Sequence, residues 1–302
     1  MKKIIILISI VILLSACTKR AESQDSFVFT DDLSREVRVT SHNRTASLIG
    51  SLAQIWMLSG GEVVACPDDG WNDLNLNLAE DVVNLGKISK LSLEGLISSN
   101  PDFILASPNN NQQLSWKENF EGMNIPTAYL EVYDFDDYLH VLDIFATINN
   151  RRDLYQKYGL DVEKEIKQIL QNKRADSPKV LCMLASTQYF KAKNSQSSIM
   201  GAMLNDLGCI NLADSEESLL ENLSIEYILK EDPEYIFITQ RGDDEEGMKK
   251  YVQSYFEDHP LWKELSAVKN NNVYFMDKNL YNLKPNHRWA EAYRGLAEVL
   301  NK

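Results

Sequence analysis

A stretch of about thirty-eight residues, Phe135 to Asn172, separates two segments that repeat one pattern at a fixed distance. Before it, Leu91-Ser92-Leu93-Glu94 leads, seven residues after the Glu, to Pro101-Asp102-Phe103-Ile104-Leu105-Ala106-Ser107. After it, Leu223-Ser224-Ile225-Glu226 leads at the same spacing to Pro233-Glu234-Tyr235-Ile236-Phe237-Ile238-Thr239. Leu, Ser, Glu, Pro and Ile recur at a constant offset of 132 residues. A weaker echo joins Ser47-Leu48-Ile49-Gly50 to Ser198-Ile199-Met200-Gly201. The period is far too long for a solenoid repeat. It reads as two copies of one lobe.

Each copy alternates short β-rich runs with helical stretches. The runs are Glu62–Ala65, Val82–Leu85, Phe103–Ala106 and Thr127–Val132 in the first, and Lys179–Leu184, Tyr235–Thr239 and Val273–Met276 in the second. Such alternation predicts α/β layers on parallel sheets. An opening hairpin is read at Phe27–Thr30 and Glu36–Val39 around Asp31-Asp32-Leu33-Ser34. Between the copies, apolar residues at 138, 141, 142, 145, 148, 155, 158, 162, 166, 169 and 170 keep helical spacing without a proline. A single helix of that length measures about 55 Å. It reads as a strut joining two lobes, with Asn149-Asn150 and Gly159 as the places where it bends or breaks. The expected architecture is two similar three-layer α/β lobes joined by one long backbone helix, with a ligand cleft between them. The expected boundaries are 27–134, 135–175 and 176–302.

The N-terminus reads as an export signal. Lys2 and Lys3 precede the apolar run Ile4 to Leu14, then Leu14-Ser15-Ala16-Cys17. The run is short of the roughly 20 apolar residues that span a bilayer. The tetrapeptide resembles a bacterial lipobox, which implies cleavage after residue 16, acylation of Cys17 and anchoring on the extracytoplasmic face of the cell membrane. Residues 17–26 are then a lipidated tether. Losing Lys2 and Lys3 leaves 29 basic against 44 acidic residues, a net charge of −15. That balance disfavours nucleic-acid binding. Beyond Cys17, three cysteines remain, Cys66, Cys182 and Cys209, with no C-x-x-C spacing. A core thiol is the preferred reading of Cys182, and a Cys182–Cys209 bridge stays open.

Taken in order, these features resemble a known family. Phe29-Thr30-Asp31-Asp32-Leu33-Ser34-Arg35-Glu36-Val37, the twice-used Leu-Ser-x-Glu and Asn/Asp-Pro-Asp/Glu motifs, the central helix, and the tail Lys284-Pro285-Asn286-His287-Arg288-Trp289-Ala290-Glu291-Ala292-Tyr293 are similar to the periplasmic-binding-protein-like domains for iron-siderophores, haem and cobalamin. The resemblance covers roughly residues 27 to 300. It implies a monomeric substrate-binding lipoprotein that works with an ABC permease dimer and its ATPase. It also implies that one surface glutamate per lobe docks on permease arginines, a role matched here by Glu94 and Glu226. The residues alone allow a second account, since Ser92 and Ser224 suit N-caps and a carboxylate in the first turn is favoured by the helix dipole.

In open α/β sheets ligands bind at strand carboxyl ends. The loops expected there hold Asp68, Asp69, Gly70, Trp71, Lys87, Ser107, Asn109 and Asn110 in the first lobe. In the second they hold Gln188, Tyr189, Phe190, Gln240, Arg241 and Tyr281. Trp71, Asn109, Tyr189, Arg241, Tyr281 and Arg288 are the candidate ligand contacts. Aromatic and basic groups together suit a metal chelate, an iron-siderophore or haem, bound as cargo with no resident cofactor. A corrinoid ligand, or a surface sensor or adhesive lipoprotein on the same fold, are the alternatives. His42, His140, His259 and His287 are isolated from other ligand-type residues, so no metal site is expected. No G-x-S-x-G, H-E-x-x-H, P-loop or G-x-G-x-x-G occurs, and no enzyme activity is expected.

Overall fold

The computed structural model describes residues 26–221 and 224–302. The export signal, Cys17 and most of the tether lie outside the described residues, as does Leu223 of the second repeat. Among the described residues no helix is long and apolar enough to cross a membrane.

The strands are β1 Phe27–Thr30, β2 Glu36–Val39, β3 Thr45–Ser47, β4 Val63–Cys66, β5 Val83–Asn84, β6 Phe103–Ala106, β7 Thr127–Tyr129, β8 Lys179–Ala185, β9 Phe190–Ala192, β10 Ile210–Asn211, β11 Tyr235–Gln240 and β12 Val273–Met276. In the first lobe they order as β5-β4-β3-β6-β7, all parallel. In the second the order is β10-β8-β11-β12, also parallel, with β9 antiparallel to β8. The two sheets therefore share one core order, in which β3 matches β8 and β6 matches β11. The α/β reading holds in both lobes.

Both faces of each sheet are covered, which is why the strands read as unbroken apolar runs. Along β8 and β11, Val180, Cys182, Tyr235 and Phe237 enter the central core. Leu181, Met183, Ile236 and Ile238 enter a separate outer core. The first lobe divides the same way, Phe103 and Leu105 against Ile104 and Ala106. The opening hairpin seals the free edge of β7: the Asp32 amide donates to the Tyr129 carbonyl at 3.0 Å and Arg35 Nη2 to the Thr127 carbonyl at 2.9 Å.

The repeated motif folds alike in both lobes. Ser92 caps the helix Leu93–Ser98 by accepting from the Gly95 amide, and Ser224 caps Ile225–Glu231 by accepting from the Tyr227 amide. The next strand is anchored by equivalent bonds, Asp102 amide to Arg44 carbonyl and Glu234 amide to Lys179 carbonyl.

The expected single helix is corrected. Phe135–Ile148 is one helix, and it belongs to the first lobe, where Phe145 packs edge-on against Trp56 at 5.2 Å. Asn150 then takes a left-handed φ of +53°, which ends the helix. Helix resumes at Arg152, passes through a π turn at Gln156–Leu160 and runs to Gln171. The two arms fold back on each other: the Tyr138 hydroxyl donates to the Tyr158 carbonyl at 2.9 Å, and a Cβ on Gly159 would lie 2.8 Å from Leu139 Cδ1. Only the second arm, about 30 Å long, serves as the connector. The C-terminal helix Trp289–Leu300 packs along it.

Cys66, Cys182 and Cys209 are buried free thiols. Ile210 pairs with Lys179, so Cys209 lies about four residues, about 13 Å, from Cys182 along the strands. A disulfide needs Cα atoms within about 7 Å. The bridge left open by the sequence does not form.

Candidate functional site

Strand order reverses between β3 and β6 and between β8 and β11, and the carboxyl ends beside these switch points face a cleft between the lobes. A cavity of about 170 Å3 lies there. It is lined by Glu131 and Tyr133 after β7, Met183 on β8, Thr239 on β11, and Lys193 and Lys284. A larger cavity of about 760 Å3 lies on the flank, between the connector helix, Asp206 and Tyr293. Its wall carries Asp134, Asp136, Glu163 and Asp206. The smaller cavity joins both lobes at strand carboxyl ends and carries basic groups, which makes it the candidate ligand site. Its volume is below the roughly 300–1,000 Å3 of pockets that hold small molecules.

The second lobe presents a basic wall. On β9, Lys191 and Lys193 flank buried Ala192 and so share the opposite face. Burial lowers the Lys193 pKa, and the charges of Lys191 and Arg241 lower it further. Like charges therefore lie near Lys193, and an anion placed beside it relieves that repulsion. Arg241 Nη1 donates to the Tyr189 hydroxyl at 3.0 Å, and both side chains are exposed. Lys87 of the first lobe lies close enough to Asp243 of the second for its charge to act there. Asp243 sits below the usual carboxylate range chiefly through its bond to Lys278 and that ammonium's charge, with Lys87 adding to the effect.

The first lobe answers with carboxylates. Lys278 Nζ bridges Asp243 at 2.6 Å in its own lobe and Asp73 at 2.8 Å in the other. Glu131 Oε1 pairs with Lys284 Nζ at 2.9 Å, with the two side chains 12% and 17% exposed. Burial raises the Glu131 pKa, but Lys284 and bonds from Ser107 and Asn109 outweigh it and hold the carboxyl below its ordinary value.

The expected contacts divide. Tyr189 and Arg241 stand together, joined by their hydrogen bond but outside the lining of the 170 Å3 cavity, and Asn109 reaches Glu131 at 3.0 Å. Trp71 is partly buried against the central core in the turn that carries Asp69 and Asp73. Asp69 itself accepts from the Gly50 amide at 3.0 Å and caps the helix Gly50–Leu58. Burial foremost, with Asp73 and Asp68 nearby, pushes its pKa up to about 6 despite that bond. Tyr281 is a correction. It is 5% exposed, and its hydroxyl donates to the Ala292 carbonyl at 3.1 Å, so it packs beneath the C-terminal helix and not in the cleft. Arg288 is held by Glu291 at 2.7 and 2.8 Å in the first turn of that helix, and no described contact carries it to the cavity. Glu131, Tyr133, Lys191, Lys193, Lys278 and Lys284 escaped the sequence reading. The Lys-Ala-Lys alternation after Phe190 was the available signal for two of them.

Glu94 and Glu226 are exposed, each at the second position of its capped helix.

A family model described as "Periplasmic binding protein" matches residues 46–280. The chain is similar to the Fe(3+)-citrate-binding protein YfmC of Bacillus subtilis, 26% identical over 272 residues, covering 87% of this chain and 82% of that one. Among solved structures, an ABC transporter substrate-binding protein from Listeria monocytogenes superposes with a TM-score of 0.72 at 20% identity, covering 86% and 99% of the two chains. Staphylococcus aureus IsdE complexed with heme gives 0.70 at 18%, covering 86% and 99%.

Proposed function

The chain belongs to the periplasmic binding protein family, and we propose that it is the lipid-anchored, extracytoplasmic substrate-binding component of an ABC importer for an anionic iron chelate. Members of the family bind and hand over substrates in transport and are not enzymes. The observation that carries the ligand class is Lys193 lining the inter-lobe cavity together with Lys284, with Lys191 on the same face of β9 and Arg241 nearby. Cations gathered in this way favour a ligand that brings several carboxylate or catecholate charges. YfmC, by its name, takes Fe(3+)-citrate, which fits that chemistry. Haem is the runner-up, favoured by the exposed ring of Tyr133 at the cavity.

Delivery runs through the surface. Exposed Glu94 and Glu226, at equivalent places in the two lobes, suit a permease dimer with twofold symmetry. A sensor or adhesin would need only the cleft. The protein acts as a monomer held at the membrane through Cys17. The test is calorimetric titration of the purified protein with ferric citrate, ferric catecholate and hydroxamate siderophores, haem and cobalamin. A ferric chelate is expected to bind below about 10 μM, roughly −7 kcal/mol. Binding only of an amino acid, a sugar or a free metal ion overturns the proposal.

A further inference from the structure

A carboxylate is out of place at the floor of a cleft that collects anions. Glu131 nevertheless lines the inter-lobe cavity beside Lys193 and Lys284. It is rigidly held. Oε2 accepts from Ser107 Oγ at 2.9 Å and Asn109 Nδ2 at 3.0 Å, and the Glu131 amide donates to Asp32 Oδ2 at 2.7 Å. All of these partners belong to the first lobe. Oε1 accepts from the Val132 amide at 3.3 Å and faces Lys284 at 2.9 Å. Lys284 in turn lies two residues before Asn286, whose Nδ2 bonds to the Ser51 carbonyl and to Gln54 Oε1 of the first lobe. The ion pair therefore lies two residues from a further contact between the lobes.

We propose that Glu131 is a built-in competitor for the cargo: it neutralises Lys284 at the cavity floor, and an anionic chelate must take Lys284 from it. This rests on the reading of the cleft given above and deepens it. The consequence is selection by charge. A compact chelate that presents several negative oxygens at the floor outcompetes one carboxylate. A large planar ligand whose charges lie at the rim does not, and it forgoes Lys284. A buried charge pair is costly to break when one member is left alone. Glu131 thus raises the threshold for weakly charged ligands while leaving a strongly charged one able to bind.

The discriminating variant is Glu131→Gln. It keeps the shape and an oxygen for Ser107 and Asn109 but frees Lys284. A residue that merely glues the lobes or touches the ligand loses affinity when neutralised; a competitor gains it. Calorimetry with ferric citrate at low salt is expected to show E131Q binding about tenfold tighter than wild type. The gain should vanish in E131Q combined with Lys284→Gln. Equal or weaker binding by E131Q overturns the inference. Should E131Q not fold, Glu131→Asp, which draws the carboxylate back, should give a smaller gain, and no gain overturns the inference. If wild type takes no chelate at all, the cleft reading fails instead. Thermal shift by citrate anion alone then decides: greater stabilisation of E131Q than of wild type supports the competition, and equal stabilisation rejects it.

Discussion

Asn100 and Asp232, 132 residues apart, hold the same left-handed backbone, with φ of +48° and +46°. Each stands between a capped helix and the Pro that opens the next strand. The duplication is thus visible at the level of a single strained residue. Asn and Asp tolerate this conformation better than other non-glycine residues. Asn100→Ala is expected to cost about 1 kcal/mol and Asn100→Gly to be nearly neutral. Asp232→Ala should cost more, because its carboxylate also accepts from the Ser266 amide and hydroxyl at 2.8 and 2.6 Å. Urea unfolding of the three variants checks the order.

The paired glutamates are expected to serve transfer and not capture. Glu94→Ala with Glu226→Ala should leave the chelate dissociation constant within about threefold, less than 0.7 kcal/mol. Uptake of radioactive iron by cells carrying the double variant should collapse. Lost affinity with an intact fold would move both residues into the cleft.

Anchoring is tested at Cys17. In cells, Cys17→Ser should abolish incorporation of labelled fatty acid and release the protein from washed membranes. A variant that stays with the membrane fraction contradicts a lipid anchor at this residue.

Much of the fold was legible because parallel, doubly covered strands such as β6, β8 and β11 carry continuous apolar runs that need no context to recognise. The central strand β3 was not, since Thr45-Ala46-Ser47 is short and barely apolar. The connector reads as one helix because helical spacing persists on both arms, with Asn149-Asn150 marked as a place where it bends or breaks. The break depends on one left-handed Asn, which periodicity does not register. The candidate site was legible only to the extent that loop position follows from strand order, which is how Tyr189, Arg241 and Asn109 were chosen. Tyr281 lies on a short helix after β12, but its ring turns beneath the C-terminal helix, a tertiary fact with no local signature. The lysines escaped for the opposite reason. Lys193 and Lys284 look like ordinary surface residues until folding half-buries one and seats the other against Glu131.

The central claim is that the basic wall of the second lobe binds the iron chelate. Its most direct measurement is the dissociation constant of ferric citrate for wild type, Lys193→Gln and Arg241→Gln, at two salt concentrations and with circular dichroism confirming the fold. Each substitution is predicted to weaken binding by more than about tenfold, or 1.4 kcal/mol, and to flatten the salt dependence. Two folded variants that bind ferric citrate as tightly as wild type would contradict the account.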